Sequence, residues 1–209
     1  MKNISFCGLV GDPTARGAFF LYGGALFHFL YAVFRLVTGI LYRQYRIDTA
    51  VLFYLSLALN RFLLIRAYRK ESDEVAVRRA CRASGKLLFI TAGIMLLLIS
   101  ETVAGGRRIH FPRGFLFVSG TYALFGAISA LLELFFLKRL HTPLLSASRT
   151  VGLLSALISS FNFLEDLLAS SPIFGENVRR TLLLTVGAAI LLLVLFLAVG
   201  FWQKGKENA

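Results

Sequence analysis

Charge is what this 209-residue chain has least of: 16% of its residues are Asp, Glu, Lys or Arg, where a soluble domain carries about a quarter. Cysteine is scarce as well. Cys7 and Cys81 stand far apart and form no CxxC, which argues against a disulfide framework or a zinc ribbon. His28, His110 and His141 are scattered, so no metal site is expected. The four prolines fall in the N-terminal tail and in the polar breaks, with none inside an apolar run. HExxH and Walker A patterns are missing. "GDPTARG" lacks the downstream acidic pair that headgroup-transfer chemistry needs, and "VSGTY" has no histidine at a matching depth. An enzyme is therefore the weakest of the function classes, and no cofactor is expected.

Apolar residues are what the chain has in excess. They make up 57% of it, and the mean hydropathy is +0.72. They collect into runs of about twenty, the length that crosses a hydrocarbon core about 30 Å thick. Six runs are read, over residues 19–42, 49–67, 87–104, 115–137, 150–169 and 181–202. The expected fold is an all-α, polytopic integral membrane bundle of about six transmembrane helices, in a single domain. The first run is too long for a signal-peptide core and lacks a small-residue cleavage site, so it is read as a retained helix. Residues 1–18 are read as a tail and about 68–86 as a basic loop. Within that loop a short helix is expected, with Ser72 as N-cap and Gly85 as its end.

The formal net charge of +12 arises from 23 Lys and Arg against 11 Asp and Glu. With no RNP-like or helix-turn-helix pattern, nucleic acid is not an expected partner, and basic loops explain the excess. Alternating breaks divide the basic residues thirteen against seven, with Arg35, Arg61 and Arg149 left in or at the edges of spans. The richer side should be cytoplasmic. That gives a multi-pass protein of the cell membrane with both termini inside and Cys81 on the cytoplasmic side. Expected partners are the lipid bilayer and a second copy or another membrane protein.

The polar residues inside the spans form stripes. Steps of three and four return to one helix face, and in the fifth span they join Ser148, Gly152, Ser155, Ser159, Asn162 and Asp166. Glu165 lies beside that stripe, and Leu153, Leu157, Phe161, Leu164 and Leu168 form an opposite, lipid-like face. In the first span the stripe is Gly24, His28, Tyr31, Arg35 and Thr38; in the fourth it is Ser119, Ala123, Gly126, Ala130 and Glu133. Asn60 and Arg61 sit in the second span and Glu101 near the end of the third, while the sixth carries no ionisable group and should face lipid.

Depth sorts the charges into two layers. Arg35, Glu101, Glu165 and Asp166 belong to the outer half, and Arg61, Glu133 and Arg149 to the inner half. An unpaired charge at mid-bilayer costs about 2.5–3.5 kcal/mol on insertion scales, so each layer should pair internally, and Arg35 is the best partner for Asp166. The candidate polar or ion site is accordingly Arg35, Asn60, Arg61, Glu101, Glu133, Asn162, Glu165 and Asp166. Two functions compete. One is a small transporter with a polar cavity lined by spans one, two, four and five. The other is a non-transporting membrane partner or scaffold subunit whose charges only lock helices together. A water-accessible path past Asn60 and Asn162 would favour the first, and a dry, paired interior beside an exposed apolar groove the second.

Overall fold

The computed structural model describes residues 13–42, 46–69, 74–104, 113–136, 143–171 and 175–204. They form six helices: α1 Pro13–Tyr42, α2 Arg46–Tyr68, α3 Glu74–Ala104, α4 Arg113–Phe136, α5 Pro143–Ser170 and α6 Glu176–Lys204. Each is long and apolar enough to cross a membrane. At about 1.5 Å per residue, even the 23 residues of α2 exceed the hydrocarbon thickness. The chain is an all-α polytopic membrane protein. Ser72, Asp73 and Cys7 lie outside the described residues.

Successive helices run antiparallel. The side on which α1 starts and α6 ends is called the near side below, and the opposite one the far side. α1 packs on α2, α4 on α5 and α3 on α6, while α2 also meets α3 and α5. α1 and α4 keep their backbones apart and meet through side chains. Exchanging the first three helices for the last three maps α1–α2 onto α4–α5 and α2–α3 onto α5–α6, and leaves α3–α6, α2–α5 and α1–α4 paired with themselves. The exchange is incomplete, because the α3–α5 and α1–α5 contacts have no α6–α2 or α4–α2 counterpart. α2 and α5 are central, and α1, α4 and α6 are the least buried. The apolar core runs through Phe53, Tyr54 and Leu57 of α2, Leu88 and Met95 of α3, and Leu154, Ile158 and Phe161 of α5.

Three local expectations change. No helix ends at Gly85, because α3 continues through it from Glu74 into the span. A Cβ at Gly85 would stand 3.1 Å from the Trp202 backbone nitrogen and 3.3 Å from Phe201 Cβ. This glycine lets α3 and α6 approach closely rather than capping a turn. The leucine face of α5 is not lipid-facing either. Phe161 and Leu168 are buried, and Leu157 and Leu164 pack on the core. Lipid and neighbouring helices are equally apolar, so pattern alone could not tell which covers that face. Finally, α6 starts at Glu176 and takes Arg179 and Arg180 into its first turns, where Arg180 pairs with Glu176 at 2.6 Å. Its exposed residues include Leu192, Phe196 and Val199, whereas Leu191 and Leu195 pack against the core.

Candidate functional site

The polar stripes of α1, α4 and α5 meet inside the bundle, and α2 supplies the fourth wall. Towards the far side, Arg35 and Asp166 form a buried, two-pronged pair. Arg35 Nη2 donates to Asp166 Oδ2 at 2.6 Å and Nη1 to Oδ1 at 3.4 Å. Ser119 on α4 donates to the same Oδ2 at 2.8 Å and accepts from Arg35 Nη2 and the Tyr31 hydroxyl, each at 3.2 Å. Arg35 Nε donates to the Tyr31 hydroxyl at 3.0 Å, and the guanidinium carbon lies 4.9 Å from the Phe115 ring centre. Three helices thus enclose one ion pair, and hydrogen bonds occupy both carboxylate oxygens.

Towards the near side stands a second pair. Arg61 Nη2 on α2 donates to Glu133 Oε1 on α4 at 2.8 Å, and Nη1 donates to the Phe20 carbonyl of α1 at 2.8 Å. Two glycines make room for it. A Cβ at Gly24 would come 2.5 Å from the Arg61 guanidinium carbon, and one at Gly152 2.5 Å from Glu133 Oε2. The helix exchange that relates the two halves turns the α1–α5 pair into the α4–α2 pair with the signs reversed. The first half supplies both bases and the second both acids.

Aromatic rings separate these layers. Tyr31 and Tyr122 stack with centroids 3.5 Å apart, and Tyr54 meets Tyr31 edge-on at 4.7 Å. Tyr54 accepts a hydrogen bond from Asn162 Nδ2 at 2.9 Å. His28 Nδ1 lies 2.8 Å from the Tyr122 hydroxyl and 3.4 Å from Ser155 Oγ. Of the remaining candidates, Asn60 Oδ1 accepts from Ser84 at 2.6 Å and Glu101 Oε1 from Thr49 at 2.9 Å. Glu165 is half-buried beside Asp166. The eight candidates therefore do not form one site. Four of them make two ion pairs, Asn162 joins the tyrosine layer, and Asn60 and Glu101 belong to the α2–α3 seam. Tyr54, Tyr122 and Ser119 complete the arrangement. Ser119 stands on the stripe read for the fourth span, and for Tyr54 and Tyr122 the available signal was a hydroxyl inside an apolar run.

Open space lies along the α1–α4 seam, and a further groove of about 610 Å³ lies between α1 and α2, lined by Tyr22, Leu26, Leu59, Phe62, Arg66 and Arg69 among others. A near-side cleft of about 350 Å³ is lined by residues of α1, α2, α4 and α5, among them Gly24, His28, Arg61, Gly126, Gly152 and Ser155. A far-side groove of about 410 Å³ is lined by Phe27, Leu30, Tyr31, Phe34, Phe117, Tyr122 and Phe125, with Val118 and Thr121. Phe27 and Phe125 border both spaces, and their ring centroids are 4.4 Å apart. Asn60 and Asn162 are buried and line neither space. Comparison with protein-family models, curated proteins and solved structures finds no match to this chain.

Proposed function

We propose that the chain is a small membrane carrier that handles an amphiphilic molecule at its flank, along the seam between α1 and α4. The observation that carries this reading is the pair of cavities on one seam. One lies in each half of the span, and they meet at Phe27 and Phe125. Both volumes fall in the range of small-molecule sites, about 300–1,000 Å³. Their mouths open on apolar flank. Phe19, Phe125 and Ile128 are exposed around one, and Leu30, Phe117 and Val118 around the other. Because both cavities open on the apolar flank and neither is lined by Asn60 or Asn162, the cargo is taken from the lipid phase. The partial match between the contacts of the two halves also supports a carrier, since related halves can exchange which side is open.

The test is movement of a fluorescent single-chain lipid between leaflets of proteoliposomes, followed by an impermeant quencher. Phe27→Cys with Phe125→Cys, joined by a bifunctional thiol reagent, should abolish the protein-dependent rate. Equal rates before and after joining, or in protein-free liposomes, would refute the carrier. The paired interior also favours the scaffold reading, in which the same flank receives another membrane protein. Under that reading the joined protein keeps its partner and no lipid moves. Orientation is part of the proposal. The basic excess puts the near side in the cytoplasm, so a cysteine at exposed Gln203 should resist impermeant reagents applied to intact cells.

A further inference from the structure

The near-side cleft differs from the far-side groove in having polar nitrogens with no partner. His28 Nε2 and Arg61 Nε are buried without a hydrogen bond, and both residues line the cleft. His28 is 4% exposed and Arg61 2%. A buried donor left unsatisfied is costly, and native interiors rarely keep one without a reason. The rest of each side chain is fixed. Arg61 is held by Glu133 and the Phe20 carbonyl, and His28 Nδ1 by Tyr122 and Ser155. With the Tyr122 hydroxyl donating to Nδ1, the imidazole proton sits on Nε2. The cleft is then lined by two residues that each hold one unpartnered N–H, and at Gly23 its wall is open space.

We infer that this cleft binds the carboxyl head of a single-chain amphiphile, with one oxygen on Arg61 Nε–H and the other on His28 Nε2. The inference rests on the carrier reading for its direction of access, but not for the site itself. Two single donors match the two oxygens of one carboxyl group. With the proton on Nε2 and Nδ1 taken up by Tyr122, the bound head is a carboxylate that accepts from both nitrogens. The chain of the ligand follows Phe19, Phe27, Phe125, Ile128 and Leu132, the apolar wall that runs to the exposed flank. A two-chain phospholipid fits less well, because its headgroup offers more acceptors than the two free donors.

The experiment is equilibrium binding of radiolabelled palmitate to the delipidated full chain in nanodiscs, with hexadecanol and lysophosphatidic acid as competitors. Saturable one-to-one binding is expected. Hexadecanol should compete at least about tenfold more weakly, since losing a hydrogen bond to a charged group is worth about that factor or more. His28→Phe removes one donor and should weaken palmitate by about tenfold. Gly23→Phe leaves both donors in place but fills the mouth, where a Cβ meets nothing within 4 Å. It should exclude palmitate from a protein that remains folded by thermal unfolding. Binding unchanged in Gly23→Phe, or equal competition by hexadecanol, overturns the proposal. Stronger competition by lysophosphatidic acid than by palmitate overturns the carboxyl assignment. Tight palmitate binding without leaflet-to-leaflet movement would sink the carrier and leave this site standing, so the two readings fail separately.

Discussion

The far-side ion pair gives the sharpest quantitative expectation. Asp166→Asn would leave the Arg35 guanidinium, 3% exposed, with only the Tyr31 and Ser119 hydroxyls and the Phe115 face to meet its charge. Arg35→Gln would leave the Asp166 carboxylate with Ser119 as its remaining donor. Breaking a buried pair from one side costs about 3–5 kcal/mol, so two independent losses would total roughly 6–10 kcal/mol. The double variant has no orphaned charge. It loses hydrogen bonds worth about 1 kcal/mol each, and its two amides can bond each other. It should therefore be more stable than either single variant, with a coupling energy of about 3 kcal/mol or more. An ordinary interhelical hydrogen bond in a membrane protein averages about 0.6 kcal/mol, so the coupling is well separated from background. Reversible unfolding in mixed micelles, titrated with a denaturing detergent, measures all four corners of the cycle. Additivity within about 0.5 kcal/mol would refute the argument, since it would mean that the two charges do not need each other.

The near-side pair is tested through its glycine. At Gly152 a Cβ would meet Glu133 Oε2 at 2.5 Å and Arg61 Nη2 at 3.0 Å, so Gly152→Ala must displace the pair and cost up to about 3–5 kcal/mol; Gly23→Ala, in open space, should be neutral or gain up to about 1 kcal/mol from helix propensity. Equal midpoints for the two in the same detergent titration would show that the pair does not occupy that space. Gly85→Ala presses on the Trp202 backbone, which cannot swing aside as a side chain can, and should cost about 1–3 kcal/mol; unchanged thermal unfolding would mean that α3 and α6 do not approach there.

How much was legible follows from what each signal measures. Run length against bilayer thickness marks spans, and six spans are found. Helical stripes measure rotation and the loop count measures depth. Together they put Arg35 opposite Asp166 across 131 residues of sequence, because only one face and one depth were open to each. Gly85 was misread because glycine has two uses, ending a helix or admitting a neighbour, and the choice depends on α6, more than a hundred residues away. The leucine face of α5 was misread because lipid and packed helices demand the same side chains. The stripes of α1 and α4 that meet across the seam were legible, but the cavities beside them were not. A cavity is defined by what does not touch, and no periodicity records an absent contact.

The two charge pairs explain what apolar packing alone could not fix. Helices in lipid gain little from burying leucine against leucine, since the tails outside are as apolar as the neighbour. Rotation and axial register then have shallow minima unless something directional sets them. Each ion pair here joins one half of the chain to the other, α1 to α5 and α2 to α4, at different depths. Replacing either by well-packed apolar residues could even raise stability, yet it would free the halves to rotate and slide. The α1–α4 seam, bridged by side chains rather than by close backbones, makes this consequential. Its width depends on where α5 holds α1 and where α2 holds α4, and those positions are set at Arg35–Asp166 and Arg61–Glu133. Arg61 does both jobs, closing its pair with one nitrogen and facing the cleft with another. A ligand that engages Arg61 Nε therefore touches the group that sets the geometry of its own cleft, which is the simplest physical route from occupancy to a change in the seam.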